Sequence, residues 1–381
     1  MAGVFSFLNI FKGWSPVTTT QSYSPNPRHT AVLLVIGSVI VAWRQQFNTA
    51  IDCIAGDDFP ASFINDFCYI HATYSFSDSW NKSVGVDILY PGVDKYKPDA
   101  EIVYHTYYQW VSLVLFVQAI AFGVPSGLWR CMEAGKLWKL VSNSRIFATS
   151  NDAQHKQTAD LVYGFMAGSR GNSRYFHYYC LASLLSLANV IFQAYLVDVF
   201  LGGGFLSYGV ENIKWGWNKV GRPDPKSVVF PKMAQCDYYN YGRTGDVQRH
   251  DVMCMLPINS INDKIYLVLW FWFVWLLFAC ALAFLVDLSF LIAPKLRFKM
   301  LRSGLHFAEQ CTVERVVERC HSGDWFLIVL LRRNLHPRKF REFLLALSDE
   351  WAQKGERETQ RLSNEDRQKR FKTDEPDIKY C

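Results

Sequence analysis

Apolar residues are unevenly distributed along the chain, with four long stretches separated by polar segments. The stretches cover residues 31–43, 104–129, 175–197 and 265–286. A membrane-spanning helix needs about 20 consecutive, mostly apolar residues. The last three stretches meet this length, and the first does so only with residues recruited from its flanks. The pattern therefore predicts four transmembrane helices.

The first predicted helix carries polar residues. To cross a bilayer it must include Arg44, Gln45, Gln46 and Phe47, or residues before Ala31. Polar side chains inside a membrane are tolerated where they face protein or water. Two interpretations stay open: the helix lines an aqueous pore, or its polar residues lie at the level of the lipid headgroups.

These helices divide the 381-residue chain into ten segments. The predicted segments are an amino-terminal segment 1–30, helices 31–50, 105–129, 175–201 and 265–293, outer loops 51–104 and 202–264, an inner loop 130–174, a helical domain 294–352 and a tail 353–381. Apolar residues recur near helical spacing after Pro294, whereas charges dominate after Gln353, so the tail is predicted to be disordered. The predicted fold class is an all-α membrane protein.

The distribution of basic residues predicts the orientation in the membrane. Of 40 Lys and Arg residues, 28 lie before the first span, in the loop 130–174 or after Pro294, and 12 lie in the two other loops. Because Lys and Arg accumulate on the side that is not translocated, both termini are expected in the cytoplasm.

Cysteine positions agree with that orientation. Cys53 and Cys68 lie in the first outer loop, and Cys236 and Cys254 lie in the second. Thiols pair in oxidising compartments and stay reduced in the cytosol. Four cysteines allow three connectivities. The favoured pairs are Cys53 with Cys254 and Cys68 with Cys236, because bridges between the loops would fix both as one small extracellular domain.

Other features of the loops and helices suggest roles without deciding them. The first outer loop has nine acidic residues against four basic ones, which would concentrate cations or simply solvate the surface. Asn81-Lys82-Ser83 is a glycosylation pattern. Pro125 lies well inside the second helix and leaves the carbonyl of Ala121 without its helical donor. The resulting kink is either structural or a point of gating flexibility.

Catalysis and nucleic-acid binding are not indicated. The net charge of +6 is spread over several segments, and no nucleic-acid-binding motif accompanies it. No phosphate-binding loop, zinc-protease motif or nucleophile elbow is present, so no enzyme activity and no cofactor are expected. Cys311, Cys320 and His321 lack a fourth metal ligand, so packing is the favoured explanation and no metal site is predicted.

Several motifs resemble one family along most of the chain. Tyr107-Tyr108-Gln109-Trp110-Val111 is similar to the signature pentapeptide of the innexins, the gap-junction proteins of invertebrates. The residues that follow in the same pattern are Gln118-Ala119-Ile120, Pro125, Leu128-Trp129, Glu133 and Gly135, the two cysteines in each outer loop, and Gly323-Asp324-Trp325-Phe326-Leu327 with Asn334. The segment 14–28 departs from the family, since it is rich in Ser, Thr and Pro.

The resemblance implies an architecture and a function. It implies a ring of subunits, eight in number, around a central pore that passes ions and small molecules. Two such rings would dock through their outer loops at cell junctions of the plasma membrane. Met1, Ala2 and Phe5 would belong to an amino-terminal funnel in the pore. Mixing with other innexins in one ring is left open, and membrane lipids are the remaining expected partner.

Two other functions are weighed against the intercellular channel. One is an unpaired hemichannel similar to the pannexins, in which a glycan on Asn81 blocks docking. The other is an adhesion or receptor protein without a conducting pore. Connexins also have four spans, but their usual pattern has three cysteines in each outer loop, and this chain has two.

Overall fold

The computed structural model describes residues 27–54, 59–97, 99–142, 151–217, 224–302, 316 and 320–373. The helices are α1 Pro27–Phe47, α2 Ala61–His71, α3 Val111–Glu133, α4 Lys136–Val141, α5 Asn151–Ala167, α6 Ser169–Phe200, α7 Phe205–Trp217, α8 Pro225–Val229, α9 Asn259–Ile292, α10 Pro294–Arg302, α11 Ser322–Asn334 and α12 Pro337–Thr373. The strands are β1 Asp52–Ile54, β2 Thr73–Phe76, β3 Ile102–His105, β4 Met233–Tyr241 and β5 Val247–Met255.

Four of the described helices are long and apolar enough to cross a membrane. The candidate spans are Arg28–Phe47, Val111–Glu133, Arg174–Phe200 and Asn259–Ile292. Each overlaps one of the four predicted helices, and this confirms the four-span fold class. The fourth span, α9, has 34 residues and measures about 51 Å at 1.5 Å per residue, so it extends beyond a hydrocarbon core of about 30 Å.

The described residues divide into two compact units. The first, here called the loop unit, contains residues 23–128 and 182–282, and the second, here called the tail unit, contains residues 129–181 and 283–381. Helices α3, α6 and α9 pass from one unit to the other. Each unit has its own buried core.

The loop unit contains a sheet that the all-α prediction did not include. Its five strands are antiparallel in the order β1-β5-β4-β2-β3. Strands β1, β2 and β3 have only three or four residues, too few to give a clear alternating pattern in the sequence. They are ordered because strands from one loop pair with strands from the other, at β1 with β5 and at β2 with β4.

The core of the loop unit continues from the sheet into the spans. Tyr108, Val111 and Leu115 are completely buried where the second span begins. Tyr266 and Phe273 on the fourth span are buried in the same cluster. Within this unit the spans therefore pack on one another through large side chains.

The tail unit is built around α11. Nine consecutive residues of this helix, Gly323 to Leu331, are buried. The ring of Phe326 lies 4.7 Å from that of Tyr179 on α6, and the ring of Trp325 lies 5.1 Å from that of Phe290 on α9. Phe165 on α5 contacts Phe343 on α12. The helical domain after Pro294 thus packs against residues of the inner loop and of the span ends within its own unit.

The carboxyl-terminal helix differs from the expected disordered tail. Helix α12 runs from Pro337 to Thr373 without interruption, past the predicted boundary at residue 353. Its distal part has no proline and is rich in Glu, Lys, Arg and Gln, which have high helix propensity. A lack of apolar residues shows that a segment does not pack in a core, but it does not prevent a charged helix from forming.

Protonation of His105 is expected to destabilise the sheet. This imidazole is buried in β3 and lies 2.7 Å from the Ser75 hydroxyl, and burial lowers its pKa from 6.5 to about 4. Between these pH values the unfolded chain binds a proton that the folded chain does not. The stabilisation is therefore fully present above pH 6.5 and falls by about 3 kcal/mol as the pH approaches 4.

Thermal unfolding of the full-length protein in detergent, measured from pH 7 to pH 4, checks this prediction. The unfolding midpoint of the wild type should fall more steeply with pH than that of H105Q, whose amide does not titrate. Parallel pH profiles for the two proteins would contradict it.

Candidate functional site

Two disulfides join the two loops inside the loop unit. Cys53 on β1 is bonded to Cys254 on β5, and Cys68 on α2 is bonded to Cys236 on β4. The Cα–Cα distances are 3.9 Å and 5.9 Å. The bridges link positions 201 and 168 residues apart in sequence, and they are the cross-loop pairs favoured in the sequence analysis.

The bridges lie side by side in the core. The sulfur atoms of Cys53, Cys68 and Cys254 are all within 4.8 Å of one another, and the three residues are buried. Metal coordination by cysteine requires thiolates, and sulfurs engaged in disulfides do not supply them. The Asn65 side-chain oxygen accepts a hydrogen bond of 2.8 Å from the Cys53 backbone amide, which ties α2 to β1 beside the bridges. This cluster therefore has a structural role, which is to hold the two loops together.

The signature pentapeptide forms the junction between the loops and the second span. Tyr107, Tyr108 and Gln109 form a single 3-10 turn immediately before α3, with both tyrosines buried. The Tyr107 hydroxyl donates to the Val229 carbonyl at 3.1 Å, and the Tyr108 hydroxyl donates to the Cys68 carbonyl at 3.3 Å. One turn thereby holds a segment of each outer loop.

The remaining pentapeptide residues complete this junction. The Gln109 amide donates to the carbonyls of Tyr69 and Ile70 in the first loop. Val111 is fully buried at the start of α3, whereas Trp110 is exposed. An exposed tryptophan at a helix end fits the membrane–water interface. Burial raises the pKa of Tyr108 to about 12, so its hydroxyl remains a hydrogen-bond donor at physiological pH.

Gln45 has a structural role that the sequence did not reveal. Its amide nitrogen donates to the Tyr108 carbonyl at 2.8 Å, and its side-chain oxygen accepts from the Ser112 hydroxyl at 3.1 Å. One of the polar residues considered for pore lining in the first span is thus engaged with the second span. Gln46 and Phe47 are exposed, and Met1, Ala2 and Phe5 lie outside the described residues.

The carbonyl that Pro125 leaves without its helical donor is bonded by an asparagine of the third span. Pro125 lies inside α3 and cannot donate to the carbonyl of Ala121, four residues earlier. The Asn189 amide on the third span donates to that carbonyl at 3.4 Å. One turn further along the third span, the carbonyl of Gln193 accepts from the Gln118 amide at 3.5 Å. Side-chain amides therefore join the second and third spans next to the proline.

Two acidic residues of the second outer loop share one arginine. Arg249 bonds both Asp237 and Asp251 at 2.9 Å, and these two aspartates lie opposite each other on β4 and β5. The Tyr74 hydroxyl donates to Asp237 at 2.8 Å. Pairing of this kind cancels repulsion between the carboxylates and stiffens the sheet.

Further acidic groups of the loops and spans also have partners. In the first loop, Asp94 is paired with Lys82, whose hydrogen bond lowers the pKa of that carboxyl. Asp198, near the end of the third span, accepts a hydrogen bond of 2.9 Å from the Leu206 amide and caps α7. Asp287 is buried in the fourth span.

Two other predicted positions are located by the structure. Asn81 is the last residue of the 3-10 turn Ser77–Asn81 in the first loop. Cys320 and His321 precede α11, where the His321 ring lies 4.0 Å from the Asp324 carboxylate, and Cys311 is outside the described residues.

The sequence is similar to those of known proteins over most of its length. A family model described as Innexin matches residues 24–351. The chain is 36% identical over 323 residues to innexin inx2 of Drosophila melanogaster, covering 84% of this chain and 88% of that protein. It is 34% identical to innexin shaking-B of Drosophila melanogaster, covering 84% and 87%, and 34% identical to innexin inx2 of Schistocerca americana, covering 84% and 89%.

The matched region includes all four candidate spans, both disulfides and the tyrosine-rich junction. A family model that matches most of the chain, with relatives above 30% identity over their nearly full length, is sufficient to assign the family. The chain belongs to the innexin family.

Proposed function

We propose that this chain is a subunit of an oligomeric gap-junction channel that passes ions and small molecules between adjacent cells. The observation that carries the proposal is the match to the innexin family from residue 24 to residue 351. Four candidate spans and a disulfide-linked loop domain are the parts that such a channel needs. The protein acts as a conduit, and catalysis is no part of the proposal.

In the proposed topology the loop unit's sheet lies outside the cell and both termini lie inside. Disulfides form in the oxidising extracellular compartment, and the two bridges are in the sheet. The described cysteines that remain free are Cys131, Cys180, Cys280 and Cys320. Lys and Arg are more abundant in the segments assigned to the cytoplasm.

The pore is proposed to lie between subunits. The buried aromatic contacts between spans, such as that of Phe122 with Phe273, fill the bundle of a single chain. A wide conduit therefore requires a ring of chains, for which eight is the proposed number. Met1, Ala2 and Phe5 are proposed to form a funnel within that ring, and other innexins are proposed to be able to share it.

Docking is proposed to use the rigid sheet of the loop unit. Ordering flexible loops on contact would lower the affinity between two hemichannels. The bridges reduce that cost because they limit the conformations of both loops before contact. The far end of the β4–β5 hairpin exposes Tyr239, Tyr241 and Val247. These apolar side chains are available for contact with a partner outside the chain.

Paired cells test the proposed function. Junctional current should appear when both cells express the chain and should be absent when only one does, because both membranes must supply a hemichannel. If Asn81 is fully glycosylated and paired cells show no junctional current, the unpaired hemichannel replaces this proposal. S83A, which removes the glycosylation pattern and leaves Asn81 in place, is the matched variant. Monomeric, electrically silent particles would favour an adhesion protein.

Replacing Cys53 or Cys254 with Ser should abolish docking or delivery to the cell surface while the spans still insert. Each change leaves one thiol unpaired and releases β1 from β5 in the core. Loss of a native disulfide typically costs about 2–5 kcal/mol. Surface labelling and junctional conductance provide the measurement. C131S is the control, because Cys131 is free and exposed. Normal conductance in C53S would rule out a required bridge.

Pro125 and Asn189 should be energetically coupled. In the wild type, N189A leaves the Ala121 carbonyl without its donor within the membrane and should destabilise the protein by about 0.5–2 kcal/mol. In P125A the residue at 125 regains an amide that can bond to Ala121, so removing Asn189 should cost much less. The four unfolding midpoints of this double-mutant cycle, measured in detergent, give the coupling.

The same variants test the role of the proline in gating. P125A should straighten the second span and change the voltage dependence of the junctional conductance. S186A is the control, since Ser186 bonds only the Ala182 carbonyl of its own helix among the contacts described. Additive destabilisation by P125A and N189A would show that the two sites are independent, and unchanged voltage dependence in P125A would show that the kink is passive.

A further inference from the structure

Helix α7 has an apolar surface that no described part of its own chain covers. One face of the helix is buried in the loop unit through Phe205, Tyr208 and Gly209. An adjacent face carries four large apolar side chains at helical spacing, and all four are exposed. This surface, here called the α7 stripe, consists of Leu206, Val210, Ile213 and Trp217, with exposed fractions of 56%, 42%, 39% and 88%.

The stripe is separate from the polar surface of the same helix. Residues at i, i+4, i+7 and i+11 share one side of a helix. Ser207, Glu211 and Lys214 lie on the next side, and the Lys214 ammonium is 2.7 Å from the Glu211 carboxylate. Three surfaces therefore follow one another around α7: buried, exposed apolar and exposed polar. If water surrounded the free sides of α7, the exposed apolar surface would be energetically unfavourable.

Contacts with the fourth span locate α7 along the bilayer normal. The Trp270 indole donates to the Leu206 carbonyl at 3.0 Å. A Cβ on Gly209 would lie 2.1 Å from the Trp270 ring, so glycine is required for the helix to approach this closely. The apolar run of the fourth span begins at Ile265, and Trp270 is about 7.5 Å further along the helix. The first turn of α7 is thus level with apolar residues of the span.

The stripe is also continuous with the exposed surface of the third span. Only four residues separate the end of α6 at Phe200 from α7, and Gly202 and Gly203 turn the chain there with positive φ. The last turns of α6 expose Tyr195 and Val199. Exposed apolar side chains at this level of a span fit the apolar part of a bilayer. The exposed apolar surface therefore extends from the third span onto α7 and ends at Trp217, a residue type enriched at membrane interfaces.

We infer that the α7 stripe binds the phospholipid leaflet on the side of the loop unit. The chemistry of the site suits the boundary between acyl chains and headgroups: aliphatic side chains enter the apolar region, the tryptophan lies at the interface, and the polar side of α7 faces the headgroups and water. The lipid contact would hold the loop unit at a fixed height above the bilayer. The lipid contact requires that the four helices span the membrane, and it does not require that hemichannels dock between cells.

Photocrosslinking of the full-length protein in phospholipid nanodiscs tests the inference. A benzophenone amino acid is introduced at Val210 or Ile213 in the stripe, and at Ser207 on the polar side as the matched control. Mass spectrometry after illumination should detect adducts one phospholipid heavier at 210 and 213, and none above background at 207. Position 207 shares the helix and its local fold, so the comparison isolates the direction of the side chain.

Two results would overturn the inference. A covalent dimer of the chain at positions 210 and 213, without lipid adducts, would show that a second copy covers the stripe. Equal labelling at 207, 210 and 213, or no adduct at any of them, would show that the stripe does not bind lipid in preference to the polar side of the helix. Particle assembly and junctional conductance of the same variants are measured in parallel. A normal conductance without lipid adducts removes the lipid site and leaves the channel function standing.

Discussion

The loop unit depends on covalent coupling between two distant segments of the chain. Strands β1 and β2 come from the first loop, and β4 and β5 come from the second. Three- and four-residue strands gain too few hydrogen bonds to offset the entropy of bringing such distant segments together. The adjacent bridges Cys53–Cys254 and Cys68–Cys236 remove much of that entropy from the unfolded chain. A sheet that local pairing alone would leave marginal becomes a fixed surface at the ends of the spans.

A second constraint acts within the spans, where polar groups must find partners inside the protein. The Ser38 hydroxyl donates to the Ser112 carbonyl at 2.7 Å, and the Trp272 indole donates to the Thr30 hydroxyl at 3.1 Å. Asn189 supplies the donor that Pro125 lacks. In a medium without water these bonds replace hydration. Polar residues that suggest a pore when only the sequence is known therefore also hold one span against another.

The features that could be predicted from sequence are those with local or compositional signals. Long apolar runs identify the four spans, and the cysteine pairs identify the two loops that disulfides join. Strands β1, β2 and β3 escaped prediction because they are short, and β1 and β2 also pair with strands of the other loop. The role of Asn189 follows from tertiary contact, although an isolated asparagine in an apolar span was a usable signal once Pro125 had left a carbonyl free. The extent of α12 depends on helix propensity, which hydropathy does not report.

In the tail unit, hydrogen bonding ties the buried helix α11 to the bases of the spans. The Asn172 side chain accepts a hydrogen bond of 2.5 Å from the Lys136 ammonium and donates one of 2.8 Å to the Asp324 carboxylate. Arg297 donates to the carbonyls of Phe290 and Leu291 at the end of the fourth span, and its own carbonyl accepts from the Trp325 indole.

These bonds limit how α11 can move. Burial lowers the pKa of Lys136 while the charge of Asp324 opposes that shift, so the ammonium is held by its neighbours. A displacement of α11 would leave the buried Asp324 carboxylate without the Asn172 amide that bonds it, at a cost of about 1–3 kcal/mol or more. Helix α11 and the span ends that it contacts within the tail unit are therefore expected to move together.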